Sequence, residues 1–311
     1  MFAVSEVLAV VLPVFILIGL GFAAGCFGIL SHQAGEGLSD FVFTFCIPTL
    51  IFKTMATADL PQTQPWGYWG AYFFGVALVW SLMMILARRV FHVQHGESVI
   101  AGFCASQSNT VLVGIPLLLS AYGEAGRVPL FLLIAVHLPI MVAAATLLIE
   151  GRRGVNFLNL ARRLFFNPIL MGIFVGLAWR ATGWRLGGPL NSVVDSLAAA
   201  SIPCALMAMG LALRRYGLHS NFRLSLAVTA MKLAVLPFIV YMLAIWVFPM
   251  PPAWAGIAVL FAAMPSGVNS YLFAERYKVG VALSSGTIAL STGLSVISTL
   301  FWLWLLGVGK A

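Results

Sequence analysis

The feature that most constrains this chain is a series of long apolar segments that recurs along its whole length. Each is about 20 residues long, the length that an α-helix needs to cross a bilayer. Lipid offers no partners for backbone N–H and C=O groups, so such segments fold as helices. Of the 311 residues, 61% are hydrophobic and 8% are charged, against about 25% charged in soluble domains. Ten segments are predicted to span the membrane: 6–29, 37–57, 66–87, 97–121, 126–149, 167–183, 189–213, 223–248, 252–274 and 280–308.

The remaining composition argues against several classes of protein. The formal charge of +8 does not indicate nucleic-acid binding, because the arginines cluster beside the spans. The four cysteines lie in apolar spans without CxxC spacing, so we expect no disulfide, metal site or cofactor. The chain contains no HExxH, GxSxG, Walker A or dinucleotide-binding motif. We therefore do not expect an enzyme.

The basic residues divide unequally between the two sides of the membrane. One side carries eleven of the 17 basic residues: Arg88, Arg89, Arg152, Arg153, Arg162, Arg163, Arg214, Arg215, Arg223, Arg276 and Lys278. The other side carries five: Lys53, Arg127, Arg180, Arg185 and Lys310. Because Lys and Arg concentrate on the cytoplasmic side, the first group is predicted to face the cytoplasm. Both termini then lie outside.

The two halves of the chain show signs of an internal duplication. Five residue markers recur after 155 positions: Pro13 with Pro168, Gly21 with Gly176, Asp40 with Asp195, Pro48 with Pro203, and Tyr122 with Tyr277. The predicted units are 1–150 and 167–311, joined by a cytoplasmic loop over 151–166. Since each unit has five spans, the second inserts upside down relative to the first. The predicted fold is an all-α integral membrane protein of ten helices, built as a 5+5 inverted repeat.

The fourth and ninth spans are interrupted at matching places. Polar residues and a Gly or Pro breaker occupy the middle of each, over 105–116 and 264–270. Broken backbone at that depth is tolerated where it is buried in protein or lines a polar cavity. A matched pair of such segments points to a transporter's binding site, although single Ser or Asn residues in membranes often only join helices. The candidate substrate-binding residues are Gln107, Ser108, Asn109, Pro116, Pro265, Gly267 and Asn269.

Two ionisable residues lie near the middle of predicted spans. Lys232 is near the middle of the eighth, where a charge is costly and indicates function, and no acidic residue is an obvious partner. It is predicted to pair with a substrate carboxylate, to be neutral in part of the cycle, or to replace a coupling cation. His137, midway along the fifth, is either a core histidine or a proton-coupling group. Asp40 and Asp195 are predicted to cap the first turns of the second and seventh helices.

Four motifs resemble those of the auxin efflux carrier family. The stretch Phe45–Phe52 is similar to that family's proline-centred second helix, and Ser108–Pro116 to the Asn-Thr…Gly-x-Pro stretch of its fourth. Ala263–Asn269 resembles its ninth-helix proline motif, and Leu290–Ser295 its tenth-helix Ser-Thr pattern. The likeness covers nearly the whole chain. Without the long cytoplasmic loop of some plant members, the chain looks like a compact bacterial member.

The resemblance implies a fold related to bile-acid symporters. Helices 1, 2, 6 and 7 would form a scaffold, and helices 3–5 and 8–10 a transport domain in which broken helices 4 and 9 cross. Asn109, Pro116, Pro265 and Asn269 would lie at or near the crossing. The implied substrates are organic anions, such as malonate in bacterial members and indole-3-acetate in plant ones. A homodimer in the bacterial inner membrane is also implied.

The sequence therefore predicts a secondary active transporter of small organic carboxylates, working by alternating access in an elevator-like manner. Proton or sodium coupling is left open, as is the direction of transport. A sodium-coupled carrier of another substrate is the first alternative. A channel would need a continuous polar stripe, which spans 1, 3 and 6 lack. An intramembrane enzyme would need a nucleophile and base at depth, and only serine with His137 is available.

Overall fold

The protein is described from a computed structural model that covers residues 4–57, 66–151, 162, 166–214 and 222–308, with side chains from Val7 onward. Nearly all of these residues are helical. The described helices are α1 (Val4–Cys26), α2 (His32–Thr57), α3 (Trp66–Arg89), α4 (His95–Ser106), α5 (Thr110–Glu150), α6 (Pro168–Ala181), α7 (Gly188–Leu213), α8 (Phe222–Val247), α9 (Pro252–Ala263), α10 (Val268–Tyr277) and α11 (Val281–Leu306).

The helix starts follow local capping. Helix α2 begins at His32 because the Ser31 hydroxyl accepts a hydrogen bond from the amide of Ala34 at 3.2 Å, which satisfies one free N–H. The prediction that Asp40 and Asp195 cap first turns is wrong, because both lie about two turns into their helices. Asp195 instead forms an ion pair with Lys53 on α2, at 2.8 Å.

Seven of the described helices are long and apolar enough to cross a membrane: α1, α2, α3, α5, α7, α8 and α11. Helices α6 and α9 are apolar but shorter. The 12 residues of α9 reach about 18 Å, less than the ~30 Å hydrocarbon core. Helix α5 changes direction at Gly123, where φ is 52° and ψ is −133°. The chain is thus a helical membrane protein.

The predicted count of ten spans depends on how the interrupted helices are grouped. Helix α4 and the part of α5 before Gly123 would form one span, and the part of α5 after Gly123 would form another. Helices α9 and α10 together would form a third. The ten-helix count and the 5+5 repeat therefore stay predictions.

The helices pack mainly in two groups. Helix α1 packs on α7, and α2 packs on α6 and α7. In the second group α3 packs on α4, while α9 lies against α5 and α8, and α8 lies against α11. The large fully buried side chains Tyr72, Phe103, Phe131 and Phe261 come from the second group. This group contains the interrupted helices and positions the candidate site.

Candidate functional site: two broken helices that cross

The two interrupted segments meet and are joined by backbone hydrogen bonds. The amide of Asn109 donates to the carbonyl of Pro265 at 2.8 Å, and the amide of Gly267 donates to the carbonyl of Gln107 at 2.9 Å. Ser108 and Ser266 face each other as an antiparallel bridge. Each segment thereby satisfies polar backbone groups that its helix has left unpaired, as burial requires.

The residue types explain why the helices stop here. Pro265 has no N–H to continue α9, and Met264 before it is extended, with φ −61° and ψ 150°. Gly267 allows the two backbones to touch, since a Cβ there would lie 2.8 Å from the carbonyl oxygen of Ser108. A larger residue at Gly267 would separate the segments.

The candidate residues of the first segment lie at the crossing and are buried. The Ser108 hydroxyl donates to the carbonyl of Phe261 at 2.7 Å. The Asn109 side-chain amide donates to the sulfur of Met209 on α7, at 3.2 Å. Gln107 is fully buried, and neither atom of its amide has a partner within the described part of the chain. A ligand or water is the natural partner for such a group.

The other candidate residues occupy different positions. Pro265 and Gly267 lie in the second segment itself, and Asn269 follows in the first turn of α10. The side chain of Asn269 is partly buried. Pro116 is buried two turns beyond Asn109 in α5, so it lies away from the hydrogen-bonded crossing.

Lys232 reaches the crossing from α8. Its side chain is fully buried, and its ammonium donates to the Ser108 hydroxyl at 2.8 Å and to the carbonyl of Ala262 at 2.5 Å. Ala262 is in the last turn of α9, where carbonyls lack helical partners and the helix dipole is negative. The ammonium therefore caps the broken end of α9.

His137 is buried near the same point. Its Nδ1 lies 3.2 Å from the hydroxyl of Tyr72 on α3. Phe261 packs against both rings, with centroids 5.3 Å from Tyr72 and 5.1 Å from His137. The Nε2 of His137 has no partner among the described residues. His137 is thus close to the crossing, but its partner is Tyr72, whereas the partner of Lys232 is Ser108.

A cavity of about 600 Å³ opens beside the crossing. Leu112 and Val268 line it, each in the first turn of the helix that follows a break. The opposite wall comes from α2 and the end of α7. The charged or ionisable residues of this wall are His32, Glu36, Asp40 and Arg214. The cavity thus connects the start of α5 and of α10 with the group of helices formed by α1, α2 and α7.

Sequence reasoning did not single out two residues that the structure brings to the crossing, Ser266 and Tyr72. Ser266 donates through its hydroxyl to the carbonyl of Cys104 at 2.9 Å, and its amide donates to the Ser291 hydroxyl at 3.0 Å. Tyr72 was missed because a tyrosine in an apolar helix resembles an interfacial anchor. Ser266 could have been predicted, because it directly follows Pro265 in the second interrupted segment.

The site presents donors rather than metal ligands. Helices α5 and α10 begin at the breaks, so unpaired N–H groups and positive dipole ends point into this region, an arrangement that favours anions. In the part of the chain that the structure describes, no three His, Cys, Asp or Glu side chains form a cluster that suits a metal ion.

A helical membrane protein in which two broken helices meet at buried polar residues has the features of a membrane transporter. Comparison with known families agrees: the model described as membrane transport protein matches residues 6–303, and the chain belongs to that family. The predicted resemblance to auxin efflux carriers is thereby confirmed.

Similar proteins span bacteria, plants and animals. A Rhizobium meliloti protein named "Putative malonate transporter" is 28% identical over 98% of this chain and 97% of its own. Auxin efflux carrier component 8 of Arabidopsis thaliana is 21% identical over 97% of this chain and 98% of its own. The lysosomal cholesterol signaling protein of Mus musculus is 22% identical over 98% of this chain, but over 38% of its own length.

Proposed function

We propose that this chain is a secondary active carrier of small organic carboxylates that works by alternating access. The observation that carries the proposal is the cavity that reaches the first turns of both α5 and α10. Because these helix starts carry free N–H groups and positive dipole ends, they can replace part of the hydration of a carboxylate. Asn109 and Asn269 are the side chains proposed to orient it.

The proposed movement separates the two packing groups. Helices α1, α2, α6 and α7 would form the scaffold, and the group with the crossing would move against it as an elevator. Gly21 and Gly176, paired by the predicted repeat, support a duplicated scaffold. A Cβ at Gly21 would collide with the backbone of Met207 on α7, and one at Gly176 with the backbone of Phe52 on α2. Each glycine thus permits a close contact between helices of opposite halves.

The proposal includes the predicted setting of the molecule. Ten spans in a 5+5 inverted repeat and external termini follow from the sequence patterns, and the inner-membrane location follows from the family resemblance. The homodimer follows from the family resemblance alone. Light scattering on detergent-solubilised protein tests it, since one chain has a mass of 33.4 kDa.

Malonate is the first substrate to test, because the printed name of the Rhizobium meliloti relative refers to it. Indole-3-acetate is the second, because of the likeness to auxin carriers. The test is uptake of each labelled compound into proteoliposomes, with pH, sodium and voltage varied separately. Saturable uptake of either acid above that of protein-free liposomes supports the proposal. Uptake of neither, by protein that remains folded, would reject small carboxylates as substrates.

The same experiment addresses sodium coupling, the main alternative. A carbonyl at a broken helix end is a suitable ligand for Na⁺, but here the Lys232 ammonium lies on the carbonyl of Ala262. We therefore propose transport that does not require sodium. Uptake that disappears when choline replaces sodium would favour the sodium-coupled carrier instead.

A further inference from the structure

A side-chain hydrogen bond joins the two packing groups at the crossing. The amide of Asn109, in the first broken segment, donates to the sulfur of Met209 on α7 at 3.2 Å. Asn109 is 4% exposed and Met209 is fully buried, so bulk water does not compete for this bond. The contact therefore ties the group that contains the crossing to the group formed by α1, α2, α6 and α7.

Met209 belongs to a stretch of α7 that is held firmly by its neighbours. A Cβ at Gly210 would collide with the carbonyl of Ile18 on α1, so the two backbones are in close contact there. Two turns earlier, the Ser201 hydroxyl donates to the carbonyl of Cys46 on α2 at 2.8 Å. Small residues and hydroxyl bonds of this kind hold membrane helices together. The backbone that carries Met209 is thus fixed, whereas the first broken segment is on the group proposed to move.

The bond between Asn109 and Met209 lies next to the cavity. Leu112, three residues after Asn109, and Leu211, two residues after Met209, both line the cavity. Three helical residues rise about 4.5 Å, so a carboxylate at the start of α5 comes within reach of the Asn109 amide. Met209 therefore engages the same amide that the proposed function assigns to the substrate.

A thioether and a carboxylate differ greatly as acceptors for this amide. The sulfur of methionine is a weak acceptor, whereas a hydrogen bond to an ionised oxygen is about twice as strong as one between neutral groups. A carboxylate in the cavity can therefore draw the Asn109 amide away from Met209. The exchange leaves no buried N–H unpaired, and it removes a side-chain link between the two packing groups.

We propose that Met209 is a positioning residue that holds the Asn109 amide until a carboxylate substrate takes its place. The inference rests on the proposed carrier function, because the amide that Met209 holds is the one proposed to bind the substrate. Exchange of the acceptor frees the group with the crossing from α7, so substrate binding promotes the movement that carries the substrate. Without substrate, the link to Met209 restrains that movement.

Two substitutions at Met209 with opposite effects test the competition. Met209→Leu keeps a similar side-chain volume but leaves the buried amide unpaired until malonate binds, so affinity should rise about two- to tenfold. Met209→Gln supplies an amide oxygen, which is a stronger acceptor than sulfur, so affinity should fall below that of the wild type. Titration calorimetry on purified protein measures both affinities, and thermal unfolding checks that each variant is folded.

Two further variants serve as controls. In Met207→Leu the same substitution is made two residues away, on the nearly opposite side of α7, where the backbone lies against Gly21 of α1. Its malonate affinity should equal that of the wild type. In an Asn109→Ala background, Met209→Leu should no longer raise the affinity, because the amide through which it acts is absent.

A transport assay separates this role from simple packing. In proteoliposomes, net uptake of labelled malonate requires the carrier to return without substrate, whereas exchange against internal malonate does not. Because the link to Met209 restrains the carrier without substrate, Met209→Leu should raise the ratio of net uptake to exchange, and Met209→Gln should lower it. The wild type and Met207→Leu should give the same ratio.

The outcomes distinguish the role of Met209 from the carrier function. Malonate uptake by the wild type, with equal affinity in Met209→Leu and Met209→Gln, would overturn the role of Met209 and leave the carrier function standing. An effect of Met209→Leu that persists in the Asn109→Ala background would also overturn it. If indole-3-acetate is carried instead of malonate, the same measurements use that acid. Absence of any carboxylate uptake would overturn the carrier function, and the role of Met209 with it.

Discussion

At the scale of single residues, Lys232 shows how a membrane-embedded charge is accommodated. A lysine at the bilayer centre costs roughly 2.5–3.5 kcal/mol on insertion scales. Here its ammonium meets the Ser108 hydroxyl and the carbonyl of Ala262, at the negative end of α9. Bonds of this charged kind contribute about 1.5–3 kcal/mol each. The gain and the cost are therefore of similar size.

Replacement of Lys232 by Met is accordingly expected to leave a folded protein without transport. The lost hydrogen bonds are offset by removal of a buried charge, so the unfolding temperature should change little. Lys232→Arg should not restore transport, because the larger guanidinium does not fit a fully buried site. Lys278→Met is the control, since Lys278 is exposed and pairs with Glu275 outside the crossing. Full malonate transport by Lys232→Met would make this lysine purely structural.

At the scale of elements, the account depends on close contact between the two broken segments. In Gly267→Ala the new Cβ would lie 2.8 Å from the carbonyl oxygen of Ser108 and 3.1 Å from Cγ of Gln107. The segments must then move apart, which we expect to cost about 1–3 kcal/mol. Thermal unfolding in detergent measures the loss of stability.

The matched control for this substitution is Gly293→Ala on α11, where nothing lies within 4 Å of the added Cβ. Alanine favours a helix over glycine by about 1 kcal/mol, so this variant should be as stable as the wild type or more stable. Equal stability of the two variants would show that the hydrogen-bonded crossing does not depend on contact at Gly267.

At the scale of the whole molecule, the inverted repeat predicts the side on which each loop lies. Leu158→Cys and Lys310→Cys, each made in a background without the native cysteines, should be labelled from opposite sides of the membrane. Position 158 is expected in the cytoplasm, because the 151–166 loop is rich in arginine. A membrane-impermeant thiol reagent, applied to intact cells and to inverted vesicles, measures the sidedness. Labelling of both positions from one side contradicts the inverted repeat.

Local chemistry determined how much of this molecule could be predicted. The second break could be predicted from the sequence because Pro265 and Gly267 both weaken a helix and lie beside polar residues in the middle of an apolar segment. The partner of Lys232 was not found, because Ala262 contributes a backbone carbonyl that every residue possesses. The pairing of Tyr72 with His137 links residues 65 positions apart, and no local pattern marks it. Asp40 was misplaced because Ser31 starts α2 earlier than hydrophobicity suggests.

The most direct test of the central claim, that the crossing holds the carboxylate, is malonate binding to purified protein. Titration calorimetry would compare the wild type with Asn109→Ala and Asn269→Ala, each checked for folding by thermal unfolding. Loss of a hydrogen bond to a carboxylate costs about 1–3 kcal/mol, or about five- to 150-fold in affinity. Asn191→Ala is the control, because Asn191 binds Asp195 on α7, away from the breaks. The account predicts weakened binding in both crossing variants and unchanged binding in the control, whereas wild-type affinity in both crossing variants would contradict it.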